Sequence, residues 1–136
     1  MSFNILVVDD SKTTRTIIGK ILQMAQVPVR DLHEASNGKE ALKILENKWI
    51  DLIFTDINMP VMNGIEMIDN MKKNDLISDI PVVVISTEGS QKRINDLQDK
   101  GIKAYIRKPF TPEQICSIIT NILGDWNGRQ KERTIN

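Results

Sequence analysis

The stretch DLIFTDINMPVMNGIEMIDNMK, residues 51–72, decides the fold because it reads as a strand, a turn and a helix in that order. Asp51–Phe54 is apolar apart from its first residue, which is typical of a buried strand. The residues that follow include Asn, Pro and Gly, which favour turns. A helix is predicted over Gly64–Lys72, where apolar residues recur at helical spacing (Ile65, Ile68 and Met71). A strand that leads through a turn into a helix is typical of α/β proteins.

The same alternation covers most of the chain. Four further strands are predicted at residues 5–8, 29–35, 81–86 and 104–106. Four further helices are predicted: one after Ser11, one after Asn37-Gly38, one over Ser90–Lys100, and one that begins with a capping box at Thr111–Gln114 and ends near Gly124. We therefore predict one α/β domain, residues 1–124, with a doubly wound parallel sheet of five strands and five helices covering both faces. Residues 125–136 are polar and aperiodic, and we expect a tail whose Trp126 packs back onto the domain.

Composition narrows the function. The 136 residues carry 18 basic and 18 acidic side chains, so the formal net charge is zero, and we expect no nucleic-acid partner. Cys116 is the only cysteine, which excludes an internal disulfide. The first residues lack the pattern of a signal peptide, and no segment approaches the length of a membrane span. We expect a cytoplasmic protein with no membrane partner.

Polar side chains follow four of the predicted strands. They are Asp9 and Asp10 after the first, Asp56 after the third, Ser86 at the end of the fourth and Lys108 after the fifth. Each has an ordinary explanation by itself: a helix cap for the first two, a turn residue, a hydroxyl bonded to backbone, and a surface charge. In a parallel sheet, however, these positions meet at one edge, where ligands bind. Their joint presence favours a shared site.

The chemistry of such a site is restricted. Carboxylates that lie close together repel each other unless a proton or a cation intervenes. Oxygen ligands without His or Cys select Mg²⁺, Mn²⁺ or Ca²⁺ rather than Zn²⁺. A carboxylate beside such an ion is also able to attack phosphorus, and a lysine and a hydroxyl would then stabilise the phosphoryl oxygens.

These motifs resemble the receiver domain of bacterial two-component response regulators. The resemblance rests on Asp9-Asp10 together with DINMPVMNG (56–64), VISTEGS (84–90) and YIRKPF (105–110), and it covers about residues 4–123. It implies a flavodoxin-like fold with strand order 2-1-3-4-5. It also implies that the protein is a phosphoacceptor that catalyses its own phosphorylation and dephosphorylation rather than an enzyme acting on other substrates.

The resemblance assigns roles to matching positions. Asp56 would accept a phosphoryl group, and Asp10, Asp56 and the backbone carbonyl of Asn58 would bind Mg²⁺, with Asp9 assisting through water; Mn²⁺ would also fit. Lys108 would bond the phosphoryl oxygens.

Further roles concern switching and hydrolysis. Ser86 would also bond the phosphoryl oxygens, and Tyr105 would turn inward when Ser86 moves. The Lys108–Pro109 bond would be cis. Asn58 and Glu88 would tune the lifetime of the phosphorylated state, which we expect to last seconds to minutes; alternatively they are a turn residue and an early-helix acid.

The resemblance also implies partners. A histidine kinase would donate the phosphoryl group, and a target would bind the face made by the fourth helix, fifth strand and fifth helix. The pair Asn58 and Glu88 is typical of chemotaxis members, which predicts the flagellar motor switch as target, with a phosphatase as an additional partner. We expect a monomer. The alternatives are a receiver in another phosphorelay, an aspartyl-phosphate phosphatase, which would need an acid where Asn58 stands, and a flavin or nucleotide carrier, which the two anions after the first strand disfavour.

Overall fold

The chain alternates strands and helices throughout the part described by the computed structural model, residues 2–124. The elements are β1 (Phe3–Val8), α1 (Lys12–Met24), β2 (Val29–Ala35), α2 (Gly38–Asn47), β3 (Leu52–Thr55), α3 (Gly64–Lys72), β4 (Val82–Ser86), α4 (Gln91–Asp99), β5 (Ala104–Arg107) and α5 (Pro112–Leu123). All ten predicted elements are present. Their ends shift by one or two residues, as at β3, which includes Thr55 and excludes Asp51. The prediction that Trp126 packs back onto the domain lies outside the described residues.

The five strands form one parallel sheet in the order β2-β1-β3-β4-β5, which confirms the flavodoxin-like order. Because side chains alternate along a strand, β1 supplies both faces of the sheet. Ile5 and Val7 pack on the face covered by α1 and α5, while Leu6 and Val8 pack on the face covered by α2, α3 and α4. The near-continuous apolar strands therefore follow from burial on both faces.

Each helix begins at a residue whose side chain caps it. Ser11, Asn37, Asn63, Ser90 and Thr111 each accept a hydrogen bond from the backbone N–H three residues later. The predicted capping box at Thr111 is confirmed, and α3 has a second one at Asn63. These caps satisfy N–H groups that have no partner within the helix, so they define where each loop ends.

The helix α4 is the least apolar of the five. Leu97 is its only fully buried residue, and Ile94 is half-buried. Few buried contacts imply low local stability. None of the helices in residues 2–124 is long and apolar enough to span a membrane.

Candidate functional site

The site lies at the carboxyl-terminal edge of the sheet, where the backbone holds two acids in place. The Asp9 N–H donates to the Ala35 carbonyl at 3.0 Å, and the Asp56 N–H donates to the Val8 carbonyl at 2.9 Å. Both residues thus extend the hydrogen bonding of the sheet by one position. Asp9 and Asp56 are buried, with 3% and 8% of their surface exposed.

Hydrogen bonds from neighbouring residues hold both the side chain and the backbone carbonyl of Asp56. The Ile57 N–H donates to Asp56 Oδ1 at 2.6 Å, and the Thr55 hydroxyl donates to the Asp56 carbonyl at 2.9 Å. Gly64 closes the loop, since its N–H donates to the Ile57 carbonyl at 2.8 Å. A Cβ atom at Gly64 would lie 2.2 Å from the Asp56 carbonyl oxygen, so only glycine permits this close approach. The Asn63-Gly64 pair therefore positions Asp56 as well as starting α3.

Three carboxylates and one ammonium meet at this edge. Oxygen atoms of Asp9, Asp10 and Asp56 all lie within 4.8 Å of one another. Lys108 Nζ donates to Asp9 Oδ2 and to Asp56 Oδ2, at 3.0 Å in both cases. The ammonium therefore bridges the two buried acids, while Asp10 is exposed at the rim.

The electrostatics follow from this arrangement. Burial raises the pKa of Asp9 and the Asp56 charge adds to this, while the Ser11 N–H and Lys108 oppose it. For Lys108, burial by itself would lower the pKa, but hydrogen bonds and charges from Asp56 and Asp9 outweigh it, so the pKa lies above its usual value. The lysine is thus held in its charged form between the two acids.

The donor atoms fit a hard divalent cation. Three convergent carboxylates without His or Cys in the cluster are the oxygen set that Mg²⁺ or Mn²⁺ prefers. Asn58, whose carbonyl the resemblance assigns to the same ion, is exposed two residues beyond Asp56. The structure brings the three acids and Lys108 together; the role of the Asn58 carbonyl stays a prediction.

Ser86 and Tyr105 lie beside the acids. Ser86 is fully buried at the end of β4, its carbonyl accepts from the Lys108 N–H at 2.8 Å, and its Oγ accepts from the Glu88 N–H at 3.2 Å. The Tyr105 hydroxyl is buried without a hydrogen-bond partner within residues 2–124. Burial raises the pKa of Tyr105. The charges of Glu88 and Asp56 raise it further, while Ser86 and Arg107 lower it. The aromatic ring thus already points inward, and its switching role stays a prediction.

The Lys108–Pro109 peptide bond is cis, as the resemblance implies. The loop after Asp56 has a second backbone feature. Val61 has φ 68° although it is β-branched, and the Met62 N–H donates back to the Pro60 carbonyl at 2.7 Å. The Met62 carbonyl in turn accepts from the Gly38 N–H at 2.9 Å. This contact ties the loop after Asp56 to the start of α2.

Two arginines near the site were missed by sequence reasoning. Arg15 of α1 donates to the Asp9 carbonyl through Nη1 and to Glu34 Oε1 through Nε at 2.9 Å. Arg93 of α4 donates to Glu88 Oε1 at 2.9 Å. The sequence held a weak signal for both arginines. A cation near the first turn of a helix interacts unfavourably with the helix dipole, which suggests that an acid elsewhere compensates its charge.

The fold and the site together define a receiver domain. The response regulator receiver domain family matches residues 5–120, so the chain belongs to this family. Receiver domains are phosphoacceptors, and the protein is accordingly a phosphoacceptor of two-component signalling.

Similarity to chemotaxis proteins covers most of the chain. The chemotaxis protein CheY homolog of Campylobacter jejuni is 35% identical over 125 residues, which is 91% of this chain and 95% of that protein. The chemotaxis protein CheY1 of Helicobacter pylori is 36% identical over 121 residues, 88% of this chain and 96% of that one. The solved structure of the chemotaxis response regulator CheY4 of Vibrio cholerae is similar at a TM-score of 0.80 and 28% identity, covering 90% and 99% of the two chains. The protein is thus a CheY-like receiver.

Proposed function

We propose that this protein accepts a phosphoryl group on Asp56 from a histidine kinase, with Mg²⁺ bound by the neighbouring acids, and signals in chemotaxis by binding the flagellar motor switch. The observation that carries the proposal is the Lys108 ammonium, which bridges Asp56 and Asp9 at 3.0 Å within a cluster of three carboxylates. The proposed place of action is the cytoplasm.

The chemical step uses the ionised Asp56 side chain. An Asp56 carboxylate oxygen attacks the phosphorus of a phosphohistidine, the phosphorus–nitrogen bond breaks, and its electron pair stays on the imidazole. The Ile57 N–H holds Oδ1, so the carboxylate is oriented before the donor arrives. A cation bound by the acids would neutralise charge on the phosphoryl oxygens.

Two further side chains would stabilise the product. Lys108 exchanges its contact with Asp56 Oδ2 for a phosphoryl oxygen and keeps its contact with Asp9. The Ser86 hydroxyl would be a second donor. Hydrolysis breaks the oxygen–phosphorus bond with water, which releases phosphate and restores the Asp56 carboxylate. Asn58 and Glu88 are proposed to set its rate.

The output face is proposed from α4, β5 and α5. If Ser86 turns towards the phosphoryl group, its Oγ loses the hydrogen bond from the Glu88 N–H. Glu88 lies in the loop that leads from β4 into α4, so this loss frees the loop to move. Because α4 buries only Leu97 fully, little free energy opposes its displacement. The similar CheY proteins support chemotaxis as the pathway.

The first test is phosphoryl uptake from acetyl phosphate. The wild type should take up one phosphoryl group per chain with Mg²⁺ and none with EDTA. Asp56→Asn should take up none, while Asp75→Asn, which changes an exposed acid between α3 and β4, should behave as wild type. Label retained at normal stoichiometry in Asp56→Asn would contradict the proposed acceptor.

The second test addresses the target. Purified flagellar motor switch proteins should bind the beryllofluoride-treated protein more tightly than the untreated one. Glu113→Lys on α5 should weaken this binding, whereas Glu46→Lys, an equal charge reversal on α2, should not. Normal phosphorylation without any gain in binding would leave the receiver intact and favour a different phosphorelay.

A further inference from the structure

An ion pair joins the loop after β4 to α4. Arg93 Nε donates to Glu88 Oε1 at 2.9 Å, and the two side chains are 40% and 29% exposed. The Arg93 backbone N–H also donates to the capping hydroxyl of Ser90 at 3.2 Å. Arg93 therefore contacts the loop through both its backbone and its side chain, so displacing the first turn of α4 must move or break the contact with Glu88.

A hydrogen bond also joins the loop after β4 to the carboxyl-terminal edge of the sheet, where the acids lie. The Glu88 N–H donates to Ser86 Oγ at 3.2 Å. On its other side the loop is covered by Arg107, since a Cβ atom at Gly89 would lie 2.7 Å from the guanidinium carbon. The residue Glu88 thus links Ser86 at the site to Arg93 on α4.

The charge of Glu88 is therefore paired with a group on α4 rather than left free. Burial raises the pKa of the Tyr105 hydroxyl, and the charges of Glu88 and Asp56 both add to this effect. Without Arg93, Glu88 would carry an unpaired negative charge in the loop that begins at Ser86, at the edge of the sheet where the three carboxylates gather. An anionic phosphoryl donor would then be repelled on approach.

We propose that Arg93 is a positioning residue that holds the Glu88 carboxylate on α4 and thereby couples α4 to phosphoryl transfer at Asp56. The proposal rests on the proposed function, in which Asp56 is the acceptor. It follows that a partner with an acidic group that takes Arg93 from Glu88 slows phosphoryl uptake.

The test compares Arg93→Gln with Lys92→Gln, which removes the same charge from the adjacent, exposed position without unpairing an acid. The readout is the rate of phosphoryl uptake from acetyl phosphate at saturating Mg²⁺. Arg93→Gln should slow uptake by about threefold at low salt, because one unpaired charge then faces the anionic donor. Lys92→Gln should change it by less than about 1.5-fold, because this exposed charge pairs with no acid within residues 2–124 and is well screened.

A double-mutant cycle isolates the coupling. In a Glu88→Gln background, Arg93→Gln should have less than about half of its effect, since no carboxylate is left to unpair. Arg93→Lys should restore most of the wild-type rate because it keeps the charge. An effect of Arg93→Gln that persists in the Glu88→Gln background, or that equals the effect of Lys92→Gln, would overturn the proposal. Absence of uptake in the wild type would instead overturn the proposed function.

Discussion

Removing the Lys108 ammonium should destabilise the protein in a way that Mg²⁺ repairs. The Lys108→Met variant keeps most of the packing volume but leaves Asp9 and Asp56 without the cation that contacts both at 3.0 Å. Carboxylate charges within 4.8 Å repel by about 3.5 kcal/mol at an effective dielectric constant of about 20. The side chains of Lys108, Asp9 and Asp56 are 19%, 4% and 11% exposed, so solvent screens only part of this repulsion. We expect a loss of about 2–3 kcal/mol in the free energy of unfolding, below the range for a fully buried pair.

Thermal unfolding with EDTA and with Mg²⁺ measures the effect. The loss corresponds to a decrease of about 10 °C in the melting temperature for a domain of this size. A bound divalent cation takes the place of the ammonium, so Mg²⁺ should raise the melting temperature of the variant more than that of the wild type. Lys103→Met is the matched control, because Lys103 is exposed just before β5. A variant as stable as wild type in EDTA, or one that gains no more from Mg²⁺, would refute the reasoning.

Three further predictions concern the loop after β3, α4 and α2. Gly64→Ala should lower the free energy of unfolding by at least about 2 kcal/mol in urea titrations, because its Cβ would lie 2.2 Å from the Asp56 carbonyl oxygen and backbone must move; a neutral result would contradict this close approach. Leu97→Ala should cost about 2–4 kcal/mol in the same assay and Ile94→Ala less than half of that, because only the first is fully buried in α4; equal losses would contradict the burial pattern. The Ser36 hydroxyl, and to a smaller extent the Ser36 N–H, donate hydrogen bonds to Glu40 and lower its pKa. The contribution of Glu40 to the free energy of unfolding is therefore present above the usual carboxyl pKa and is lost as pH falls through the lowered value. The stability difference between wild type and Glu40→Gln should therefore shrink as pH falls below the usual carboxyl pKa of 4.5, and a difference that stays constant would disprove the assignment.

The secondary structure was predictable because its causes are local. The apolar runs of β1 and β4, the helical spacing in α1 and α3, and the capping residues at Ser11 and Thr111 each depend on neighbours within a few positions. The meeting of Asp9, Asp10, Asp56 and Lys108 at one edge was also predictable, since parallel strands point in one direction. The end of β3 was placed one residue early, because Thr55 continues the strand although it is polar.

The amino-acid sequence by itself determined the alternating elements, the two-faced apolar sheet and the edge at which the acids gather. Only the tertiary structure decided which charges are paired there: Lys108 bridges acids that lie 99 and 52 positions away, Arg15 reaches across to Glu34, and Arg93 rather than solvent holds Glu88. The physical reason is that periodicity records which face a residue occupies, while pairing over such separations depends on strand order, loop path and side-chain rotamer together. Strand order, loop path and rotamer become fixed only when helices cover both faces of the sheet.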